Sequence, residues 1–194
     1  HISSTYIHGT ETLRIISTFN EAMSSSPKIS ISGQVSNLTM TSSTTSVWYY
    51  DWNVPDSFNG VVTATVTGTD LAGNSYSGTD SITYIVDNIL PTVSLADTNS
   101  GNIITNSNQV TITATFSEPM TVTPTISIAN VITNAVMSPT SSASVWTYPW
   151  VVSTTYNGIV TSTVSGTDLA RNSYSGGDSL SFNLDTKAPE IVSL

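Results

Sequence analysis

Apolar and polar residues alternate along most of this chain, with the period of two that belongs to a half-buried β-strand. The clearest run places Val110, Ile112, Ala114 and Phe116 on one face, with threonines between them. Ile126 and Ile128 predict the next strand, and a short segment after it ends at Met137. Trp146, Tyr148 and Trp150 predict a fourth strand, Val160 and Val164 a fifth, and Leu180, Phe182 and Leu184 the last. An opening strand is expected over Pro91–Leu95. Gly, Asn, Asp and Ser cluster between these runs, where turns need them. No segment carries a helical i, i+3, i+4 stripe of useful length.

The pattern occurs twice. Val61 to Gly78, through Gly68-Thr69-Asp70-Leu71-Ala72-Gly73-Asn74, returns as Ile159 to Gly176, through Gly166-Thr167-Asp168-Leu169-Ala170-Arg171-Asn172, at an offset of 98. Thr18-Phe19-Asn20-Glu21-Ala22-Met23 returns as Thr115-Phe116-Ser117-Glu118-Pro119-Met120 at an offset of 97, so one residue separates the copies near Thr41 to Ser46. Trp48, Tyr50 and Trp52 match Trp146, Tyr148 and Trp150. Self-similarity at one fixed spacing is the signature of a repeat architecture. Roughly seven short strands in each copy of about 97 residues is the arithmetic of an immunoglobulin-like sandwich. The expected fold class is therefore all-β: two tandem immunoglobulin-like β-sandwich domains. The boundaries are 1–88 for the first repeat, 89–186 for the second and 187–194 for a segment beyond them. Period-two aromatics on a strand are usually one buried face, so the Trp/Tyr/Trp rows are expected in the cores. A sugar-stacking platform is the other reading of those rows.

The Thr-Phe-Ser-Glu-Pro-Met stretch, the Gly-Thr-Asp-Leu-Ala-Gly-Asn loop and the Asp-x-x-x-Pro linkers resemble the tandem bacterial Ig-like repeats of large surface adhesins and secreted multidomain proteins. The resemblance covers nearly the whole chain in both halves. It implies a structural or adhesive extracellular module at the cell surface, a spacer or stalk often stiffened by calcium. It names no ligand.

Composition narrows the chemistry. Thirteen acids against four bases give a net charge of −9. No Lys/Arg stripe exists to neutralise phosphates, so nucleic acid is not an expected partner, and an anionic membrane surface is equally disfavoured. No run of apolar residues is long enough for a membrane-spanning helix, so membrane insertion is not expected. The absence of cysteine excludes disulfides and thiolate zinc sites. His1 opens the sequence without a signal-peptide pattern, as in a mature form or an excised piece.

Eight acids fall into repeat-matched pairs: Glu21/Glu118, Asp70/Asp168, Asp80/Asp178 and Asp87/Asp185. In an Ig topology Asp87, Glu118, Asp168 and Asp178 are expected to converge at the domain junction. Oxygen ligands in that number suit Ca²⁺, which would be the only cofactor. Asx-turns to their own backbone explain the same acids without metal. Arg171, which stands where the first repeat has Gly73, argues against a cation if it points into that junction. No catalytic residue is expected. The histidines, His1 and His8, lack a recognisable partner, and a catalytic site would not be duplicated with every other salient residue.

The ends do not match the repeat borders. In the second repeat 25 residues, beginning with Pro91, precede Phe116, whereas only 18 precede Phe19, so the first repeat is expected to be short of its opening strand. Pro189-Glu190-Ile191-Val192-Ser193-Leu194 reads as an opening strand with no repeat after it. One explanation is a cut from a longer array. Another is strand donation, with Pro189, Ile191, Val192 and Leu194 of one subunit filling the vacant edge in the next. A third lets Ile2 to Ile7 supply the strand. The expected partners are accordingly neighbouring Ig-like repeats or identical subunits, with a glycan or a surface protein as a further candidate. For such a binder the non-duplicated residues are Tyr49, Asp51 and Asp56.

Overall fold

The computed structural model describes residues 5–76, 78–99, 101, 103–174 and 176–193. The chain divides into two compact units, His1–Ile89 and Leu90–Leu194. Every element among the described residues is a strand. The chain is a pair of Ig-like β-sandwich repeats.

The first unit contains β1 (Thr5–Ile7), β2 (Thr12–Thr18), β3 (Lys28–Ile31), β4 (Val35–Thr39), β5 (Thr41–Ser42), β6 (Val47–Asn53), β7 (Gly60–Thr67) and β8 (Ser81–Val86). They form one sheet in the order β1-β8-β7-β3-β4 and a second in the order β2-β6-β5. The inward positions of both sheets supply the core: Ile15, Ile29, Ile31, Trp48, Trp52, Val62, Tyr84 and Val86 are all buried. Each such aliphatic or aromatic side chain contributes roughly 1.5–3 kcal/mol by leaving water.

The second unit contains β9 (Val93–Asp97), β10 (Ile103–Ile104), β11 (Gln109–Phe116), β12 (Thr125–Ile128), β13 (Ile132–Val136), β14 (Ser138–Pro139), β15 (Val145–Val151), β16 (Gly158–Ser165) and β17 (Leu180–Leu184). Its sheets run β10-β17-β16-β12-β13 and β14-β15-β11-β9. All four expected inward residues of β11 are buried, and Ile112 and Ala114 are wholly so. The tryptophans are core residues in both units, with Trp52 and Trp150 each 3% exposed. Trp150 meets Phe182 edge-on at 5.7 Å, the arrangement that ring quadrupoles favour. That burial excludes the sugar platform for these rings.

The units differ by one strand. β9 pairs antiparallel with β11, from Ile112 opposite Asp97 to Phe116 opposite Val93. Its counterpart is absent from the described residues of the first unit, where β2 pairs only with β6. Thr5–Ile7, the described part of the Ile2 to Ile7 segment expected as a source of that strand, does not supply it. Thr5–Ile7 pairs parallel with β8 in the opposite sheet, as β10 does with β17, so it cannot occupy the edge of β2. Ile2 to Ser4 lie outside the described residues.

Candidate functional site

The paired acids sit in a turn that both units build in the same way. Asp70 and Asp168 follow β7 and β16, and the glycines before them, Gly68 and Gly166, end those strands. Their side chains are nearly or fully buried, at 6% and 0% exposure. In each turn one carboxylate oxygen accepts the backbone N–H of the asparagine four residues on, at 2.8 Å. The other oxygen accepts that asparagine's side-chain amide, also at 2.8 Å. Backbone bonds close the ring, from Asp70 N–H to Asn74 C=O at 2.9 Å and from Asp168 N–H to Asn172 C=O at 3.1 Å. Such charge-assisted bonds favour the ionised acid. The Asn74 side-chain amide, with the Asn74 backbone N–H second, holds the Asp70 carboxyl below its ordinary value although partial desolvation opposes them. A carboxylate held this way closes its own turn.

The chain reverses through a left-handed residue, Gly73 at φ +91° and Arg171 at φ +74°. Glycine takes that conformation freely, whereas an arginine is strained there. Arg171 is exposed. Antiparallel bridges from Met23 to Asp70 and from Met120 to Asp168 tie each turn to the loop that carries Glu21 or Glu118. In the second unit a carboxylate oxygen of Glu118 lies within 4.8 Å of one of Asp168. In the first unit Glu21 and Asp70 line one small cleft with Asn20, Met23 and Asn74.

The other expected acids have their own hydrogen bonds. Asp178 accepts the Leu95 N–H at 2.7 Å through one oxygen and the Ser179 N–H at 2.9 Å through the other, so it clasps β9. Asp87, in the first unit, accepts the Ile89 N–H at 3.0 Å. Pro189, Ile191 and Val192 are exposed, in chain without regular structure after β17. Leu194 lies outside the described residues.

Sequence reading missed the tyrosines after these turns. Tyr76 and Tyr174 stack edge-on against Phe19 and Phe116, at 5.8 and 6.0 Å. Their hydroxyls accept the backbone N–H of Asp80 at 3.3 Å and of Asp178 at 3.2 Å. The duplicated Ser-Tyr-Ser-Gly was the available signal. A Cβ on Gly78 would come within 2.2 Å of the Tyr76 hydroxyl oxygen, and one on Gly176 within 2.6 Å of the Tyr174 ring.

Of the unduplicated residues, Asp51 and Tyr49 are engaged by their own sheet. Arg14 grips Asp51 with two bonds of 2.7 Å and lies 4.1 Å from the Tyr49 ring centroid. The Arg14 bond lowers the Asp51 pKa and raises that of Arg14. Asp56 stands exposed in the turn after β6. His8 contacts the Gly9 carbonyl at 2.6 Å and Glu11 at 3.2 Å. His1 lies outside the described residues.

No protein-family model matches the sequence, and no curated protein matches it by sequence. Solved structures do match. Fibronectin(III)-like modules of Clostridium thermocellum CbhA are 14% identical with a TM-score of 0.48, over 96% of this chain and 90% of theirs. A tetra-tandem repeat from the extending region of a large adhesion protein is 18% identical with a TM-score of 0.45, over 93% of this chain and 48% of that one. Murine CEACAM1b is 11% identical with a TM-score of 0.44, over 94% and 96%. The two sandwiches themselves, and not these likenesses, establish the fold. Among the described residues no helix is long and apolar enough to cross a membrane, which leaves strand-built spans untouched.

Proposed function

We propose that this chain is a structural segment of an extracellular bacterial surface protein, two repeat modules that space or present other parts of an adhesin and carry out no catalysis themselves. The observation that carries this reading is the duplication of the turn, the aromatic contact and the tryptophan core. Both units close the same Asp–Asn turn, seat the same Tyr on the same Phe, and bury the same Trp pair. A spacer needs each module to be sound, and selection for soundness acts on both alike. A binding or catalytic centre would set one unit apart in its inward or cleft residues.

Single-molecule pulling of the whole chain tests the reading. It should show two separate unfolding events, each releasing about 300 Å of chain for a module of about 97 residues. Glycan and surface-protein arrays should show no saturable binding. Saturable binding lost on Asp56→Ala or Tyr49→Ala would replace the spacer with a binding module.

Calcium enters this reading through the Glu118–Asp168 pair, whose closeness a divalent cation would relieve. If calcium stiffens the protein, its melting temperature rises with calcium, falls on chelation, and loses that response in Glu118→Gln. Equal melting curves with calcium and chelator remove the ion from the account.

A further inference from the structure

Among the described residues β4 and β13 are the outermost strands of their sheets, each paired on one side only, with β3 and with β12. Each is the second strand of a hairpin inside its repeat, and each carries an asparagine in the left-handed region, Asn37 at φ +50° and Asn134 at φ +49°. We propose that these two asparagines are edge guards, which keep β4 and β13 from pairing with the like strand of a second copy of this chain.

The two hairpins are built alike. Ile31 stands opposite Val35 and Ile29 opposite Leu38, so two steps on β3 answer three on β4. Ile128 stands opposite Ile132 and Ile126 opposite Ala135, again two steps against three. One residue is therefore extra in each outer strand, which makes a β-bulge, and a bulge bends and twists the strand that holds it. A flat edge cannot run on through a left-handed residue, because strand backbone needs φ near −140°. Asparagine visits the left-handed region more readily than most residues with a Cβ.

The bulge also turns a donor away from the outer edge. The Asn37 N–H donates to the Ser30 hydroxyl at 3.1 Å, and the Asn134 N–H to the Ser127 hydroxyl at 2.9 Å. Both serines lie on the inner strand of their hairpin. The Ser127 hydroxyl in turn donates to the Asn134 side-chain oxygen at 3.2 Å. Val35-Ser36-Asn37-Leu38-Thr39 aligns with Ile132-Thr133-Asn134-Ala135-Val136, and the asparagine is the one residue that the two strands share. The serine that receives its N–H is shared as well.

Unguarded, these edges would invite pairing. Each strand is five residues long, and an unpaired row of N–H and C=O groups is a template for another strand. Leu38 at 45% exposure and Val136 at 66% add apolar surface that pairing would cover. The hairpins of the two repeats share one register, so every copy of the chain would meet a matching partner strand. Two such edges in one chain would let pairing extend beyond a dimer.

The inference goes beyond the spacer reading and fails separately from it, since a binding module with these edges would need the same guard. Deleting Asn134 closes the ladder without disturbing its ends: Thr133 moves opposite Ser127, while Ile128–Ile132 and Ile126–Ala135 keep their pairing. Deleting Asn37 does the same for Ser36 and Ser30. Sedimentation equilibrium on the whole chain, from micromolar to millimolar, reads the outcome, and thermal melts establish that each variant is folded. The unaltered chain should stay monomeric, and so should Asn134→Gly, because glycine keeps the left-handed bulge. The chain lacking Asn134 should form dimers and larger species, with hydrogen exchange slowed along residues 132–136. Deleting both asparagines should strengthen the association. If loss of Asn134 unfolds the second unit, the Asn37 deletion and the full-length Asn134→Val, whose branched side chain disfavours the left-handed region, carry the same test. Folded deletion or valine variants that remain monomeric overturn the proposal. So does an unaltered chain that associates with protection along β13, or an Asn134→Gly chain that associates as strongly as the deletion.

Discussion

At the scale of single residues, both modules close the same Asp–Asn turn but place different residues at its left-handed position. Arg171 holds φ +74° where the sister turn has glycine. Relieving a left-handed non-glycine residue is worth about 1 kcal/mol. Arg171→Gly should therefore raise the melting temperature of the second unit by about 4–8 °C, read by calorimetry. The first turn gives a pH signature. Asp70 is held below its ordinary value of 3.8, chiefly by the Asn74 amide. A depressed folded pKa adds stability that is fully present above 3.8 and is lost as pH falls through the folded value. Acid titration of the melting temperature should fall below pH 3.8, and Asp70→Asn should flatten that limb. An unchanged slope in Asp70→Asn would assign the acid limb to other carboxylates, Asp51 with its Arg14 pair first among them.

At the scale of elements, the two edge environments make one substitution behave differently in the two copies. Phe116 lies beneath the paired edge of β11 and is 3% exposed, whereas Phe19 borders an open groove. Phe116→Ala should cost about 3–5 kcal/mol, the range for a large buried aromatic. Phe19→Ala should cost clearly less, although both lose a ring contact with their tyrosine. Chemical denaturation of the two variants checks the order, and equal losses would mean that the groove is closed in solution. The short strands also show where pattern runs out. β1, β5, β10 and β14 are two or three residues long, too short for alternation to register.

At the scale of the whole molecule, each unit owns a separate core and is of a size that folds alone. Among the described residues the second unit has four strands in the sheet that contains β11, and the first has three in the equivalent sheet. Expressed separately, residues 90–194 should melt at a higher temperature than residues 1–89.

The sequence by itself determined the fold class, the duplication and the longer strands. Those depend on the period of Val110 to Phe116 and on an offset preserved through Trp146, Tyr148 and Trp150, which are properties of order along the chain. Only the tertiary structure decided what the acids do. Asp168 and Asp178 look alike in sequence, yet one closes its own turn with Asn172 and the other clasps Leu95 from a strand 83 positions away. Hydrogen-bond partners depend on where the sheets bring distant segments. The same cause placed Thr5–Ile7 beside β8, in the sheet opposite β2.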